Sequence, residues 1–210
     1  MKRSQLRLYL VTDRGLAGDK DIEEIVRRSV EGGATMVQLR EKSIDTREFI
    51  ELALRLKALL KPYGVPLIIN DRVDVALAAD ADGVHIGQSD MPYAMARRLL
   101  GPDRIIGLSV EDFDQIAEAN ALDVDYIGIS PVFATPTKTD TAAPFGLEGL
   151  RKAVELSVHP TVAIGGMNAS TAAEVISTGT DGIAVVSAIV CADDPCAASR
   201  RLLETMDGNL

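Results

Sequence analysis

Three polar residues stand at alternate positions of one short segment, Gln38, Arg40 and Lys42 in QLREK. Side chains two apart in an extended chain share a face, so one amide and two cations would meet a common anionic ligand. The same three also suit a plain solvated strand end. Two carboxylates stand further along: Asp71, after the β-branched run that ends in Asn70, and Asp90 in GQSD. Mg2+ takes hard oxygen ligands, commonly one or two carboxylates with substrate phosphate and water. Taken singly, Asp71 could cap the helical pattern VDVALAA and Asp90 the pattern MPYAMARRLL; beside a cationic cluster the metal reading is the stronger. Ser109 in GLSV offers a hydroxyl to a ligand, or a turn or cap before EDFDQIAEA. The long Thr- and Pro-rich loop SPVFATPTKTD supplies hydroxyls from Thr135 and Thr137 and a point charge from Lys138, and loops of that length in compact domains are commonly lids or binding loops. Gly165 and Gly166 in AIGGM, and Ser187 in VVSAI, end two further apolar runs. Glycine lets the backbone approach a phosphate, and free amides donate to it.

These groups need elements to hold them. Strand candidates are Leu6–Thr12, Ala34–Leu39, Pro66–Asn70, Gly83–Ile86, Arg104–Ser109, Tyr126–Ser130, Thr161–Ile164 and Gly182–Val186. Most are continuous apolar runs, the pattern of strands buried on both faces. Amphipathic segments lie between them, among them DIEEIVRRSVEGG, STAAEVISTG and TREFIELALRLKALLKPYG. In the last, Phe49, Leu52, Ala53, Leu56 and Leu59–Leu60 recur at helical spacing and Thr46 is a plausible N-cap. Gly32–Gly33, Gly64 and Gly179 supply stops. Eight such units predict a single-domain α/β chain over residues 1–210, a (β/α)8 TIM barrel at about 26 residues per unit. A faint echo, EGGATMVQL, AADADGVHI, ALDVDYIGI and STGTDGIAV, falls at the even strands. Catalytic groups of such a barrel sit at the C-terminal strand ends, where the residues above stand. His85 precedes its strand end and reads as a packing or supporting residue, and His159 lies on the opposite, structural face.

Composition narrows the partners. Hydrophobic residues make up 47% of the 210, too many for a disordered chain. Aromatics at 4%, with no Trp, argue against stacking surfaces for single-stranded nucleic acid. Twenty-two basic against 31 acidic residues give a net charge of −9, a poor general polyanion binder. Cys191 and Cys196 read as reduced cytosolic thiols. The opening MKRSQLRLYLVTDR is too short for a signal peptide, and the longest weakly polar run, Gly182 to Ala192, is about half a membrane span. The expectation is a soluble cytoplasmic protein acting on small molecules, without nucleic-acid or membrane partners. A homo-oligomer stays open.

The motifs in this order closely resemble the thiamine phosphate synthase family: YLVTDR, VQLREK, INDRVDVALAADADGVHIGQSD, GLSV, DYIGISPVFATPTK, GLEGL, AIGGM and GIAVVSAI. The resemblance covers the chain up to Pro195; the tail beyond it carries no motif. It implies a Mg2+-dependent joining of a hydroxymethylpyrimidine diphosphate to a thiazole phosphate, with release of pyrophosphate. It further implies that Gln38, Leu39, Arg40, Glu41, Lys42 and Asn70 bind the pyrimidine diphosphate, with Asp71 and Asp90 as magnesium carboxylates. Ser109 and Lys138 would contact the diphosphate-bearing substrate, and with Arg40 and Lys42 form the catalytic set. Thr135, Pro136, Thr137, Gly166, Val186 and Ser187 would form the thiazole phosphate site. Two alternatives stay beside it. A thiazole tautomerase-like relative would need none of Arg40, Lys42, Asp71, Asp90 and Lys138, and a thiamine phosphate sensor would bind without catalysis.

Overall fold

Each apolar run forms a short strand, because a segment apolar on every side is satisfied only between two layers. The strands are β1 (Leu8–Val11), β2 (Met36–Leu39), β3 (Leu67–Asn70), β4 (Gly83–Ile86), β5 (Ile105–Val110), β6 (Tyr126–Ile129), β7 (Thr161–Ile164) and β8 (Gly182–Val185). In the computed structural model, which describes residues 1–134 and 143–208, they close into one parallel barrel in sequence order, with β8 pairing β1. The (β/α)8 expectation holds.

Alternation divides the core into two layers. Tyr9, Val11, Met36, Ile68, Ile105, Tyr126, Val162 and Ala184 fill the barrel interior. Their neighbours Leu10, Val37, Leu39, Ile69, Val84, Ile106, Ile127 and Ile183 face outward against the helices, through residues such as Val26, Phe49, Leu52, Leu56 and Leu150. The outer layer is Ile22–Glu31, Thr46–Leu60, Val73–Ala78, Tyr93–Leu100, Phe113–Ala119, Gly146–Leu156, Ala172–Ile176 and Pro195–Met206. Two single-turn helices, Arg14–Ala17 and Ser187–Val190, stand at the mouth after β1 and β8. No helix of the described residues is long and apolar enough to cross a membrane.

The caps correct one expectation. The helix over Thr46–Leu60 is capped by Asp45, whose carboxylate accepts from the Glu48 N–H at 2.9 Å. Asp adds a charge that favours the positive end of the helix. Thr46 instead accepts from the Arg72 guanidinium at 3.0 Å. Nor do Asp71, Asp90 and Ser109 cap anything. Arg72 and Pro92 precede the helices after β3 and β4 without a side-chain cap, and Asp112 caps the one after β5. The capping role open to Ser109 is thus filled by Asp112, and those open to Asp71 and Asp90 are filled by no side chain.

Gly107 shows how the interior is fitted. A Cβ built there would collide with the Tyr126 phenol ring on the neighbouring strand. Gly107→Ala is therefore expected to lower stability by about 2 kcal/mol, the usual scale for overpacking a close-packed core. Equilibrium denaturation measures it, and an unchanged midpoint would show that the ring moves freely.

Candidate active site

A cavity of about 1010 Å³ opens at the C-terminal end of the barrel. The strands deliver its walls by alternation. Tyr9 and Val11, Gln38, Asn70, His85, Ser109, Gly128, Val162 and Ile164 all point inward and line it. Arg40 and Lys42 continue the Gln38 face beyond β2, and Asp71 and Asp90 follow β3 and β4 at the rim. Gly166, Val186 and Ser187 line the opposite wall. Most of the expected site residues thus meet in one place.

Two do not present side chains there. Leu39 is fully buried in the outer layer. Glu41 turns outward too, and its carboxylate accepts from the Arg14 Nε at 3.1 Å. Both are the alternate members of QLREK, so the period that sends Gln38, Arg40 and Lys42 inward sends these out; only their backbone can reach a ligand. Thr135, Pro136, Thr137 and Lys138 lie outside the described residues.

The charges at the mouth come in pairs. Arg40 Nη1 lies 2.8 Å from Asp13 Oδ2, and Lys42 Nζ lies 2.6 Å from Asp71 Oδ2. Asp71 adopts φ 61°, a left-handed conformation that Asp tolerates better than most residues. Asp90 accepts from the Gly87 N–H at 2.7 Å. Burial holds its carboxyl above the ordinary carboxylate range, and so does the Asp71 carboxylate beside it. Two carboxylates pressed together at a cavity rim suit a cation. Among the described residues no group of three or more His, Cys, Asp and Glu side chains could hold a metal, so phosphate and water would complete the shell. That is the habit of Mg2+.

Across the mouth, Gly165 and Gly166 take φ 101° and 73°. A Cβ on Gly166 would stand 2.8 Å from that of Phe133, so the chain passes here only as glycine. With the turn at Val186 and the helix start at Ser187, this places backbone from the loops after β7 and β8 along one wall, where such barrels commonly bind phosphate.

Beneath the mouth, Gln38, Ser109 and the supporting His85 join a polar group whose two tyrosines the sequence reading missed. Gln38 Nε2 donates to the Tyr9 hydroxyl at 2.8 Å, which lies 2.9 Å from that of Tyr126. His85 Nδ1 is 2.9 Å from the Tyr126 hydroxyl, and its Nε2 is 2.8 Å from Ser109 Oγ. Both tyrosines sit in continuous apolar runs, and their tips had no sequence signal beyond the inward parity they share with Val11 and Gly128. Burial lowers the His85 pKa from 6.5 to about 4 and raises both phenols, so all three rings are neutral at physiological pH. The unfolded chain therefore binds one more proton than the folded one between these His85 values. The stability this gives is complete above pH 6.5 and is lost as pH falls toward 4, amounting to about 3 kcal/mol. Denaturation of the unmodified chain and His85→Gln across that range checks it, and equal slopes would refute it.

The comparisons with known proteins bear on this mouth. A family model described as thiamine monophosphate synthase matches residues 8–189, from β1 to the helix after β8. The chain belongs to the thiamine phosphate synthase family. That makes it an enzyme, a transferase of thiamine biosynthesis. A thiamine-phosphate synthase of Albidiferax ferrireducens is 56% identical over 202 residues, covering 96% of this chain and 92% of its own length. One from Vibrio campbellii is 56% identical over 202 residues, covering 95% and 98%. A solved thiamine phosphate pyrophosphorylase from Pyrococcus furiosus superposes with a TM-score of 0.90 at 45% identity, over 99% of this chain and 98% of that one. That structure and this chain thus share the barrel over nearly their full lengths.

Proposed function

We propose that the chain condenses hydroxymethylpyrimidine diphosphate with methylthiazole phosphate to give thiamine phosphate and pyrophosphate, or with the carboxylated thiazole phosphate to give the same products and CO2. The observation that carries this is the two-sided mouth. Arg40, Lys42 and the Asp71–Asp90 pair stand on one wall, and the Gly165–Gly166 turn with Val186 and Ser187 on the other. One side suits a diphosphate with its cation, the other a monophosphate. The cavity between them, about 1010 Å³, can hold two heterocycles. Reduced thiols fit a cytoplasmic setting; Cys191 and Cys196 are both free.

In the reaction, the bond between the pyrimidine methylene and the diphosphate oxygen breaks, and its electron pair leaves with the diphosphate. The thiazole nitrogen lone pair forms the new C–N bond, and no proton is lost. That chemistry asks for no nucleophile or base from the protein, only for positioning and charge stabilisation. Arg40 and Lys42 would hold the diphosphate, and Ser109 would donate to it. Lys138 would add a third cation from the loop after β6. Asp71 and Asp90 would hold Mg2+, which when bound supplies charge neutralisation to the departing diphosphate. The electron-rich aminopyrimidine favours departure ahead of attack, a dissociative substitution.

Mixing both substrates with Mg2+ and assaying pyrophosphate release tests the activity. Binding of the thiazole phosphate without release would overturn it. Electron-withdrawing substituents on the pyrimidine are expected to slow turnover, and acceleration would exclude the dissociative order.

A further inference from the structure

We propose that Tyr9, Tyr126 and His85 are positioning residues, a one-way chain of hydrogen bonds across the barrel interior that starts at Gln38 and leaves the Ser109 hydroxyl proton free for the ligand. The direction follows from the first bond. An amide nitrogen can only donate, so the Tyr9 oxygen receives the Gln38 proton at 2.8 Å. The Tyr9 proton then goes to the Tyr126 oxygen at 2.9 Å, its other neighbour. The Tyr126 proton in turn goes to His85 Nδ1 at 2.9 Å. With Nδ1 accepting, the ring proton sits on Nε2 and is donated to Ser109 Oγ at 2.8 Å. Each oxygen accepts one proton and passes on its own. Ser109, last in the row, lines the cavity, and among the described residues its own hydroxyl proton has no acceptor.

The interior is shaped for this row. Tyr9 and Tyr126 are almost wholly buried, and Phe at either position would fill the same volume without a polar atom to satisfy. Gly107 makes room for the Tyr126 ring, and a Cβ on Gly128 would stand 3.2 Å from His85 Cε1. A buried hydroxyl without a partner is costly, so reversing one bond would require reversing the row. Ser109 is thereby held as a donor before substrate arrives, and a donor already oriented toward developing negative charge needs no reorganisation during the reaction.

The consequence for catalysis rests on the proposed diphosphate chemistry; the proton order does not. Two measurements separate them. The chain has two histidines, so ¹⁵N-histidine NMR of the unmodified protein resolves the His85 tautomer, with His159→Gln supplying the assignment. Protonated Nε2 and bare Nδ1 are expected; protonated Nδ1 overturns the proposal. Tyr126→Phe is expected to lower kcat about tenfold, a part of the loss on removing an oxyanion donor outright, while the KM for thiazole phosphate holds. In a Ser109→Ala background the same change should have almost no effect, because the row then ends on nothing. Equal losses in both backgrounds would mean that Tyr126 acts through packing alone and would overturn the proposal. An unmodified protein that releases no pyrophosphate sinks the functional reading and leaves the tautomer result to decide the proton order.

Discussion

Asp71→Asn is expected to lower kcat/KM for pyrophosphate release by about 10²-fold and to raise the Mg2+ concentration for half-maximal rate at least tenfold. The substitution is close to a pure charge removal. Asp71 holds φ 61°, and Asn tolerates the left-handed region as well as Asp does, so the turn after β3 stays. What changes is electrostatic. Asp90 loses the carboxylate that helps hold its own carboxyl above the ordinary range, and the rim keeps one carboxylate where there were two. Lys42 loses the charge that holds it at 2.6 Å. Folding stability should hold or rise slightly, because two like charges no longer share the rim. Titrating Mg2+ at saturating substrates reads the effect directly. An unchanged Mg2+ dependence would remove Asp71 from the cation site, whatever happened to the rate.

The sequence made one half of this site legible and hid the other for a definite reason. Alternation in QLREK is a local property, and it separates Gln38, Arg40 and Lys42 from Leu39 and Glu41 once the segment is extended. Strand identity was equally local, since runs such as Leu67–Asn70 and Tyr126–Ile129 are mostly apolar and buried on both faces. Position in a βα repeat then told which residues stand at the mouth. None of this says what meets across the barrel. Tyr9 and Tyr126 are 117 residues apart, and their contact depends on strand tilt and on the gap left by Gly107. The capping of Thr46–Leu60 failed for a smaller reason, two adjacent residues able to cap, of which Asp45 carries the charge the helix end favours.

The same geometry refines the charge argument. A net charge of −9 marks the chain as a poor general polyanion binder, and even the cations at the mouth are matched. Arg40 and Lys42 each hold a carboxylate, Asp13 and Asp71, at 2.8 and 2.6 Å. On the proposed chemistry, a diphosphate would have to share Arg40 with Asp13, and share Lys42 with a carboxylate that a divalent cation would also attract.

Arg40→Ala should therefore cost more than one lost cation. Removing the guanidinium deletes a charge-assisted donor aimed at the cavity. It also leaves Asp13 facing an incoming diphosphate with its charge uncompensated. Asp13 cannot turn away freely, because its Oδ1 accepts from the Leu16 N–H at 3.0 Å as the cap of the Arg14–Ala17 turn. Loss of an electrostatic donor alone typically costs about 10²–10³-fold, and the retained carboxylate pushes the result toward the upper end. The loss should fall on kcat/KM for the diphosphate substrate, with the KM for thiazole phosphate little changed, since Gly166, Val186 and Ser187 stand on the other wall. Arg40→Ala paired with Asp13→Asn is the informative comparison. If the stranded carboxylate matters, the double variant recovers about tenfold of the loss, because removing the repulsion returns part of the field at the site. Single and double variants of equal activity would show that Arg40 acts only as a donor. An Arg40→Ala enzyme within about threefold of the unmodified chain, far below the usual cost of such a donor, would take Arg40 out of the diphosphate site altogether.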